Sequence, residues 1–127
     1  MGKSLVNLRP TTETDVRALY GKPLDVTIIG ITGVQDGQPL GFAAIFPGDG
    51  CMVMISRICD DARQHLHQHQ HARALLRAAR ALQAIAKQHR LPIRAVADRQ
   101  FNRSAALLKH LGFRHIEKDV YEWTIQA

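Results

Sequence analysis

The spacing of apolar residues predicts a long amphipathic helix at the centre of the chain, over residues 71–90. Apolar side chains recur along one side of this stretch at helical spacing, and basic residues gather on the opposite side. One face is therefore expected to be core and the other basic. The apolar set is Leu75, Ala78, Ala79, Leu82, Ile85 and Ala86, and the basic set is Arg73, Arg77, Arg80 and Lys87.

Short runs rich in β-branched and aromatic residues precede this helix and predict strands. The pair Asp36-Gly37 is typical of a two-residue hairpin turn, and residues 47–50, with one proline and two glycines, predict a second turn. Strands joined by such short turns pair antiparallel. Four strands are predicted before the helix, at residues 5–8, 26–34, 40–46 and 51–58.

A short helix is predicted between the first two strands. Arg9-Pro10 is expected to end the first strand, because proline has no backbone N–H and restricts the residue before it. Thr12 followed by Asp15 has the spacing of a capping box, which marks the start of a helix. This helix is expected to end at Gly21 or before Pro23.

Beyond the long helix, residues 92–97 predict a strand that runs parallel to the strand at 51–58 after a right-handed crossover. Asn102 has the residue type of an N-cap for a helix that ends at Gly112, and a hairpin of residues 113–117 and 120–125 closes the chain. The order is β-α-β-β-β-α-β-α-β-β. It predicts an α/β (α+β) fold with a mixed, mostly antiparallel twisted sheet of six to seven strands and about three helices.

Composition favours one globular domain that spans residues 1–127. The chain has 127 residues, 46% of them hydrophobic and 22% charged, and no run of about 18 apolar residues. We therefore expect a cytoplasmic protein without a membrane segment. Cys51 and Cys59 have the same parity on one predicted strand and lie too far apart to bridge, so both are expected to be free buried thiols.

The element order and several stretches of sequence resemble the GCN5-related N-acetyltransferase (GNAT) superfamily. Residues 8–15, Leu-Arg-Pro-Thr-Thr-Glu-Thr-Asp, are similar to the family's opening "x-x-Arg-Pro-Ala-Thr-x-x-Asp". Residues 38–43, Gln-Pro-Leu-Gly-Phe-Ala, are similar to its third strand, and residues 73–76, Arg-Ala-Leu-Leu, to its long helix. Residues 104–113, which end in Gly112-Phe113, are similar to its last helix. The resemblance implies a small and degenerate member of this family.

The same resemblance implies binding of acetyl-coenzyme A (acetyl-CoA) where the fourth strand joins the long helix. In the family this segment has the pattern (Arg/Gln)-x-x-Gly-x-(Gly/Ala), whose backbone N–H groups contact the pyrophosphate. Here His67 takes the Arg/Gln position, Gln70 the first glycine position and Ala72 the second, so only Ala72 fits. The cofactor-binding residues implied by the resemblance are Ile58, Cys59, His67, Gln68, His69, Gln70, His71, Ala72, Arg73 and Asn102.

No catalytic residue is assigned from the sequence. The family's frequent general acid, a tyrosine, is replaced by Leu108, which cannot donate a proton to the departing thiolate. Asp60, Asp61 and Asp98 follow predicted strands, and each is either a general base or part of a solvated turn. Asn102 is either a helix cap or a cofactor contact.

Alternating histidines precede the long helix, at His65, His67, His69 and His71. In a helix they would form i,i+4 pairs able to chelate a borderline metal, and in an extended loop they would point one way. No cysteine or carboxylate partner has structural-zinc spacing, so no metal is assigned. The alternatives are a polar loop, an adventitious metal binder, or a site that attracts phosphate at mildly acidic pH.

Three functions remain open at this point. By resemblance, the chain transfers an acetyl group from acetyl-CoA to the amine of a small molecule, a protein N-terminus or a lysine. By its departures from the pattern, it is a non-catalytic interaction or assembly module, such as GNAT-like chains of tailed phages. The net charge of +6 admits a third function, nucleic-acid binding through the basic helix face, although no aromatic residue interleaves with those charges.

Overall fold

Seven strands and three helices make up the described part of the chain, in the predicted order. The computed structural model describes residues 5–59, 69–97 and 104–124. The predicted fold class is therefore confirmed. The elements are β1 (Asn7–Pro10), α1 (Glu13–Tyr20), β2 (Ile29–Gln35), β3 (Gln38–Pro47), β4 (Met52–Ile58), α2 (His69–His89), β5 (Ile93–Val96), α3 (Ser104–His110), β6 (Arg114–Glu117) and β7 (Val120–Trp123).

One sheet contains all seven strands, in the order β1-β2-β3-β4-β5-β7-β6. Every neighbouring pair is antiparallel except β4 and β5, which pair in parallel as the crossover through α2 requires. Apolar residues of α2 and α3, including Leu82 and Leu108, pack with Ile45 and Ile93 on one face of the sheet. Val16 of α1 packs on the other face, against Phe42 and Ala44. The sheet therefore lies between two layers of helix.

The two faces of α2 are as its periodicity predicts. The predicted core residues are buried or half-buried, with Leu82 and Ala86 fully inaccessible. All four predicted basic residues, Arg73, Arg77, Arg80 and Lys87, are exposed. The helix nevertheless starts at His69 rather than at 71, so two residues assigned to the preceding loop lie in its first turn.

A network of hydrogen bonds around Asp15, a buried residue of α1, joins β1 to the start of this helix. Arg9 donates two hydrogen bonds to its carboxylate, at 2.6 and 2.8 Å, and the Thr12 N–H donates a third at 2.9 Å. The Thr12 hydroxyl accepts from the Asp15 N–H, which completes the predicted capping box. Burial raises the pKa of Asp15, but the hydrogen bonds from Arg9, Thr12 and Thr32 together lower it to about 2.

Several strand boundaries differ from the prediction by one to three residues, those of β1 and β2 among them. β1 begins at Asn7 rather than at residue 5, and Arg9 and Pro10 are its last two residues instead of following it, with Pro10 opposite Ile31 of β2. Proline is tolerated there because β1 is an edge strand, where one side of the backbone has no strand to bond. The second strand begins at Ile29 instead of 26, and Val26 is 45% exposed in the segment before it.

The turns follow their residue types. Asp36 and Gly37 both have positive φ, 53° and 77°, as a type I′ hairpin turn requires. At the end of α3, the Gly112 N–H donates to the Lys109 carbonyl and the Phe113 N–H to the Leu108 carbonyl, with Gly112 at a φ of 92°. These bonds form a Schellman motif, so the predicted helix end at Gly112 is confirmed. Asn102 and residue 125 lie outside the described residues.

Cys51 is buried and Cys59 is half-buried, and neither forms a disulfide within the described chain. The prediction was therefore wrong on the full burial of Cys59, which lies just past the end of β4. No helix in the described part of the chain is long and apolar enough to cross a membrane.

Candidate functional site

The two edges of β4 are paired to very different extents. On one side β3 pairs with all seven residues of β4, from Met52 to Ile58. On the other side β5 pairs with only three, from Met52 to Met54. The last four residues of β4 thus continue past their partner, and the described part of the sheet is open there.

The backbone of β4 presents hydrogen-bonding groups to this opening. Along a strand, successive N–H and C=O groups point to opposite neighbours. The Met52 N–H donates to the Pro92 carbonyl on the β5 side, and the Cys59 N–H donates to the Leu40 carbonyl on the β3 side. By the same alternation, the N–H and C=O groups of Ser56 and Ile58 point to the β5 side, where no strand of the described chain pairs with them.

Gly41 of β3 lets the end of β4 lie close to β3. A Cβ atom at this position would be 2.8 Å from the Arg57 carbonyl oxygen and 3.2 Å from the Ile58 Cα, which is too close for backbone atoms to accommodate without moving. The glycine in the stretch similar to the family's third strand is therefore needed for strand packing. Gly41 thus allows β4 to stay paired with β3 over residues 55–58, where β5 no longer pairs with β4.

A cleft of about 520 Å³ occupies the opening between β4 and β5. Leu75, Ala79 and Leu108 line it from the α2 and α3 side, and Tyr20, Leu24 and Phe46 line it from the α1 side. Residues from both faces of the sheet reach the same space, so the cleft passes through the sheet. Two reactants could enter it from opposite faces and meet beside the unpaired half of β4.

The interior of the cleft is mostly apolar. Among its described lining residues, the polar side chains are those of Tyr20, Ser56 and Arg57. Leu108 is 8% exposed and lines the cleft, so the position at which the family often has its acid faces this space but holds no proton donor. Asp60, Asp61 and Asp98, the predicted bases, lie outside the described residues.

The start of α2 lies over the ends of β3 and β4. His71 is half-buried and shares a small apolar cavity of about 50 Å³ with Ile58, Gly41 and Leu8. Its side chain therefore faces the sheet. Arg73, two residues later, is exposed on the outer face of the helix.

The remaining predicted cofactor residues are only partly located. Ile58 lines the cleft, and Cys59 follows it with its N–H bonded towards β3. His69, Gln70 and Ala72 lie in the first turns of α2. His67, Gln68 and Asn102 lie outside the described residues, as does the predicted His65. Within the described chain, no group of three or more histidine, cysteine or carboxylate side chains is placed to hold a metal ion.

Arg57 lies at the mouth of the cleft on the α1 side of the sheet, where it contacts Tyr20. The Arg57 guanidinium carbon lies 4.9 Å from the centroid of the Tyr20 ring, and the Lys22 ammonium nitrogen lies 5.7 Å from the same centroid. These distances suit cation–π contacts. Tyr20 is the last residue of α1 and is half-buried, so the end of this helix positions both cations.

Sequence reasoning did not single out Ser56, Arg57 or Tyr20. Strand alternation gives a signal for Ser56, since it has the same parity as the buried Met52 and Met54. Nothing local links Arg57 to Tyr20, because the contact joins residues on different elements. Arg57 and Tyr20 come together at the mouth of the cleft only in the tertiary structure.

Positive charge is concentrated in one part of the molecule. Residues 69–97 carry Arg73, Arg77, Arg80, Lys87, Arg90 and Arg94 and no acidic residue. Residues 5–59 carry four basic and five acidic residues, and residues 104–124 carry three of each. The excess charge of the described chain thus lies on α2 and on the turn and strand that follow it.

Three solved structures have the same fold over nearly the whole chain. A protein of Acinetobacter baylyi ADP1 assigned as an acetyltransferase is 16% identical and aligns with a TM-score of 0.68, over 98% of this chain and 95% of that one. The GNAT domain of S. lividans PAT is 14% identical, with a TM-score of 0.57 over 94% of this chain and 90% of that one. An acetyltransferase of Agrobacterium tumefaciens strain C58 is 13% identical, with a TM-score of 0.55 over 98% and 94%.

No family model and no curated protein sequence matches the chain. The likeness is therefore one of architecture, and it extends over nearly the whole chain. The chain has the GNAT fold.

Proposed function

We propose that the chain is an acetyltransferase that binds acetyl-CoA in the cleft between β4 and β5 and transfers the acetyl group to an amine. The observation that carries this proposal is the end of β4 that extends past its pairing with β5. There the backbone of Ser56 and Ile58 faces an apolar cleft. An extended chain with amide groups can add to such an edge as a further strand would. The pantetheine arm of acetyl-CoA has that shape and those amides.

The residues of the cleft suit the donor in three ways. Ser56 and Ile58 offer backbone donors and acceptors to the pantetheine amides. Leu75 and Leu108 give apolar walls that exclude water from the thioester. The first turn of α2, from His69, has backbone N–H groups without intrahelical partners, and these favour the anionic pyrophosphate.

Acetyl-CoA supplies the thioester carbonyl that the amine attacks. With the pyrophosphate at the first turn of α2 and the pantetheine arm along β4, the donor would occupy the α2 side of the cleft, so the amine would enter from the α1 side. A bond would form between the amine nitrogen and the carbonyl carbon as the C–S bond breaks and coenzyme A leaves as a thiolate. Leu108 has no proton to give, so we propose that solvent takes the proton that the amine loses and protonates the thiolate. The proposed activity implies a cytoplasmic protein, because acetyl-CoA is a cytoplasmic metabolite.

Calorimetric titration of the metal-free protein with acetyl-CoA and with coenzyme A tests this proposal. We expect micromolar binding. Absence of binding up to millimolar concentration would overturn the proposal and leave the fold unaffected.

The variants Ser56→Pro and Ser56→Ala locate the binding site. Proline removes the Ser56 N–H, which points away from β3, so the β3–β4 pairing is kept. Alanine removes only the hydroxyl. We expect Ser56→Pro to weaken coenzyme A binding about tenfold, the value of roughly one hydrogen bond, and Ser56→Ala to leave it unchanged. Equal affinities in the two variants would contradict pairing of the donor with β4.

A second candidate function rests on the charge excess of residues 69–97. Arg73, Arg77, Arg80 and Lys87 are exposed along one face of α2 and span about 21 Å at 1.5 Å per residue, a linear array that suits a phosphate backbone. If all four contact duplex DNA, affinity should fall about 100-fold between 50 and 200 mM salt. The double variant Arg77→Gln/Arg80→Gln should flatten this dependence, whereas Arg17→Gln on α1 should not. Affinity that is undetectable at 50 mM salt would exclude the second function.

A further inference from the structure

We infer that the acceptor is an amine that carries an anionic group, a carboxylate or a phosphate, on an apolar body. This inference rests on the proposed function, since it concerns the acceptor's mouth of the same cleft. Arg57 is the one charged side chain among the described residues that line the cleft.

Arg57 is held in place but its charge is not neutralised within the described chain. Its guanidinium lies over the Tyr20 ring, 4.9 Å from the centroid. The described ion pairs are Arg9–Asp15, Arg17–Glu13 and Arg94–Glu122, so no described carboxylate pairs with Arg57.

A guanidinium that rests on an aromatic ring has lost part of its freedom and still presents N–H donors at its edge. These donors match the two oxygens of a carboxylate or phosphate. Lys22, 5.7 Å from the same ring, adds a second exposed cation beside Tyr20, although, like Asp25, it does not line the cleft itself. The nearby carboxylate of Asp25 is exposed and does not line the cleft.

The other residues at this mouth are apolar and indicate that the part of the acceptor beside its anionic group is apolar too. Leu24, Val26, Phe46 and Val53 line it on the α1 side of the sheet. Val26 is 45% exposed although it is a large apolar residue, so apolar surface is available beside the cations. An acceptor with an aliphatic or aromatic body would cover this surface while its anionic group contacts Arg57.

Equilibrium binding of matched ligands tests the inference without acetyl transfer. The probes are 6-aminohexanoate, its neutral amide 6-aminohexanamide, and 6-aminohexyl phosphate, each titrated into the full chain and followed by NMR. We expect at least one anionic probe to bind about tenfold or more tightly than the amide, as a charged hydrogen-bonded pair predicts. The ratio between the two anionic probes distinguishes a carboxylate from a phosphate acceptor.

Variants then assign the preference to Arg57. Arg57→Met should abolish it, and Tyr20→Leu should reduce it by removing the ring under the guanidinium. Tyr20→Phe, which keeps the ring, and Arg17→Met, on the outer surface of α1, should retain it. Equal binding of the amide and both acids, or a preference that survives in Arg57→Met, would overturn the inference.

Titration of acetyl-CoA into the same variants separates this inference from the proposed function. Binding of acetyl-CoA together with equal affinity for the three probes would defeat the acceptor inference alone. A preference for the anionic probes that depends on Arg57, without any binding of acetyl-CoA, would defeat the acetyltransferase and confirm an anion site.

Discussion

The two ends of α1 each hold an arginine from a neighbouring strand, and the two arginines differ in what they contact. At the N-terminal end, Arg9 of β1 donates two hydrogen bonds to the buried Asp15, and the capping box uses the same carboxylate. At the C-terminal end, Arg57 of β4 lies on the Tyr20 ring beside the cleft and has no carboxylate partner among the described residues. The first arginine is satisfied within the fold, and the second is available to a ligand.

This difference indicates which residues should affect stability and which should affect binding. A buried carboxylate such as Asp15, paired with an arginine and bonded to a backbone N–H, leaves these donors unsatisfied when it is removed, which destabilises the fold. An exposed cation that lies on a half-buried ring, as Arg57 does on Tyr20, contributes little to folding. Substitutions at the two ends should therefore have separate effects.

The largest expected effect is at the N-terminal end. Asp15→Asn removes the charge that Arg9 and the Thr12 N–H contact, and we expect the free energy of unfolding to fall by about 2–3 kcal/mol. Urea denaturation measures this. The matched control is Glu13→Gln, whose exposed pair with Arg17 spans 3.4 Å and should contribute less than about 0.5 kcal/mol. Equal losses of unfolding free energy in Asp15→Asn and Glu13→Gln would show that the Asp15 network stabilises the fold no more than the exposed Glu13–Arg17 pair does.

The pH dependence of stability gives a second, smaller effect at the same end. The folded pKa of Asp15 is about 2, below the value of about 3.9 in an unfolded chain, so its stabilisation is complete above pH 5 and lost as the pH falls towards 2. The loss should be about 2 kcal/mol. Denaturation of the wild type and Asp15→Asn between pH 5 and 2 measures it, and the difference between them should shrink on acidification. A constant difference over this range would mean that the Asp15 pKa is not lowered by folding.

The smallest expected effect is at the C-terminal end. Arg57→Met should change the free energy of unfolding by no more than about 0.5 kcal/mol, because the methionine keeps much of the apolar contact with Tyr20 and only an exposed cation is lost. Urea denaturation of this variant beside Asp15→Asn makes the comparison direct. A loss of about 2 kcal/mol in Arg57→Met would place Arg57 among the structural residues and remove the contrast between the two ends.

Local sequence patterns predicted the elements whose cause is local. The i,i+3 and i,i+4 spacing of Leu75, Ala79 and Leu82 predicted α2, the pair Asp36-Gly37 predicted the hairpin, and Thr12 with Asp15 predicted the cap. The stretch from Arg9 to Asp15, similar to the family's opening, is explained by the same local network. In this structure the stretch joins the end of β1 to the start of α1 through the bonds between Arg9 and Asp15.

The site was less predictable because its causes are distant in sequence. Burial alternates over the first four residues of β4 and gives way to exposed Ser56 and Arg57, but this change does not show that Met54 is the last residue to pair with β5. The end of that pairing depends on where β5 stops and on Gly41 in β3. Likewise, Arg57 meets Tyr20 only because α1 packs across β3 and β4. The predicted cofactor roles of His69, Gln70 and His71 remain predictions.

Amide NMR of the backbone of β4 during titration with coenzyme A tests the central claim most directly. Ile55 and Arg57 point their N–H groups to β3 and serve as internal controls for Ser56 and Ile58, which point theirs to the opening. We predict large shifts and new protection from hydrogen exchange at Ser56 and Ile58, with little change at Ile55 and Arg57. Coenzyme A that leaves Ser56 and Ile58 unchanged, or that shifts only the exposed face of α2, would contradict the account of the cleft.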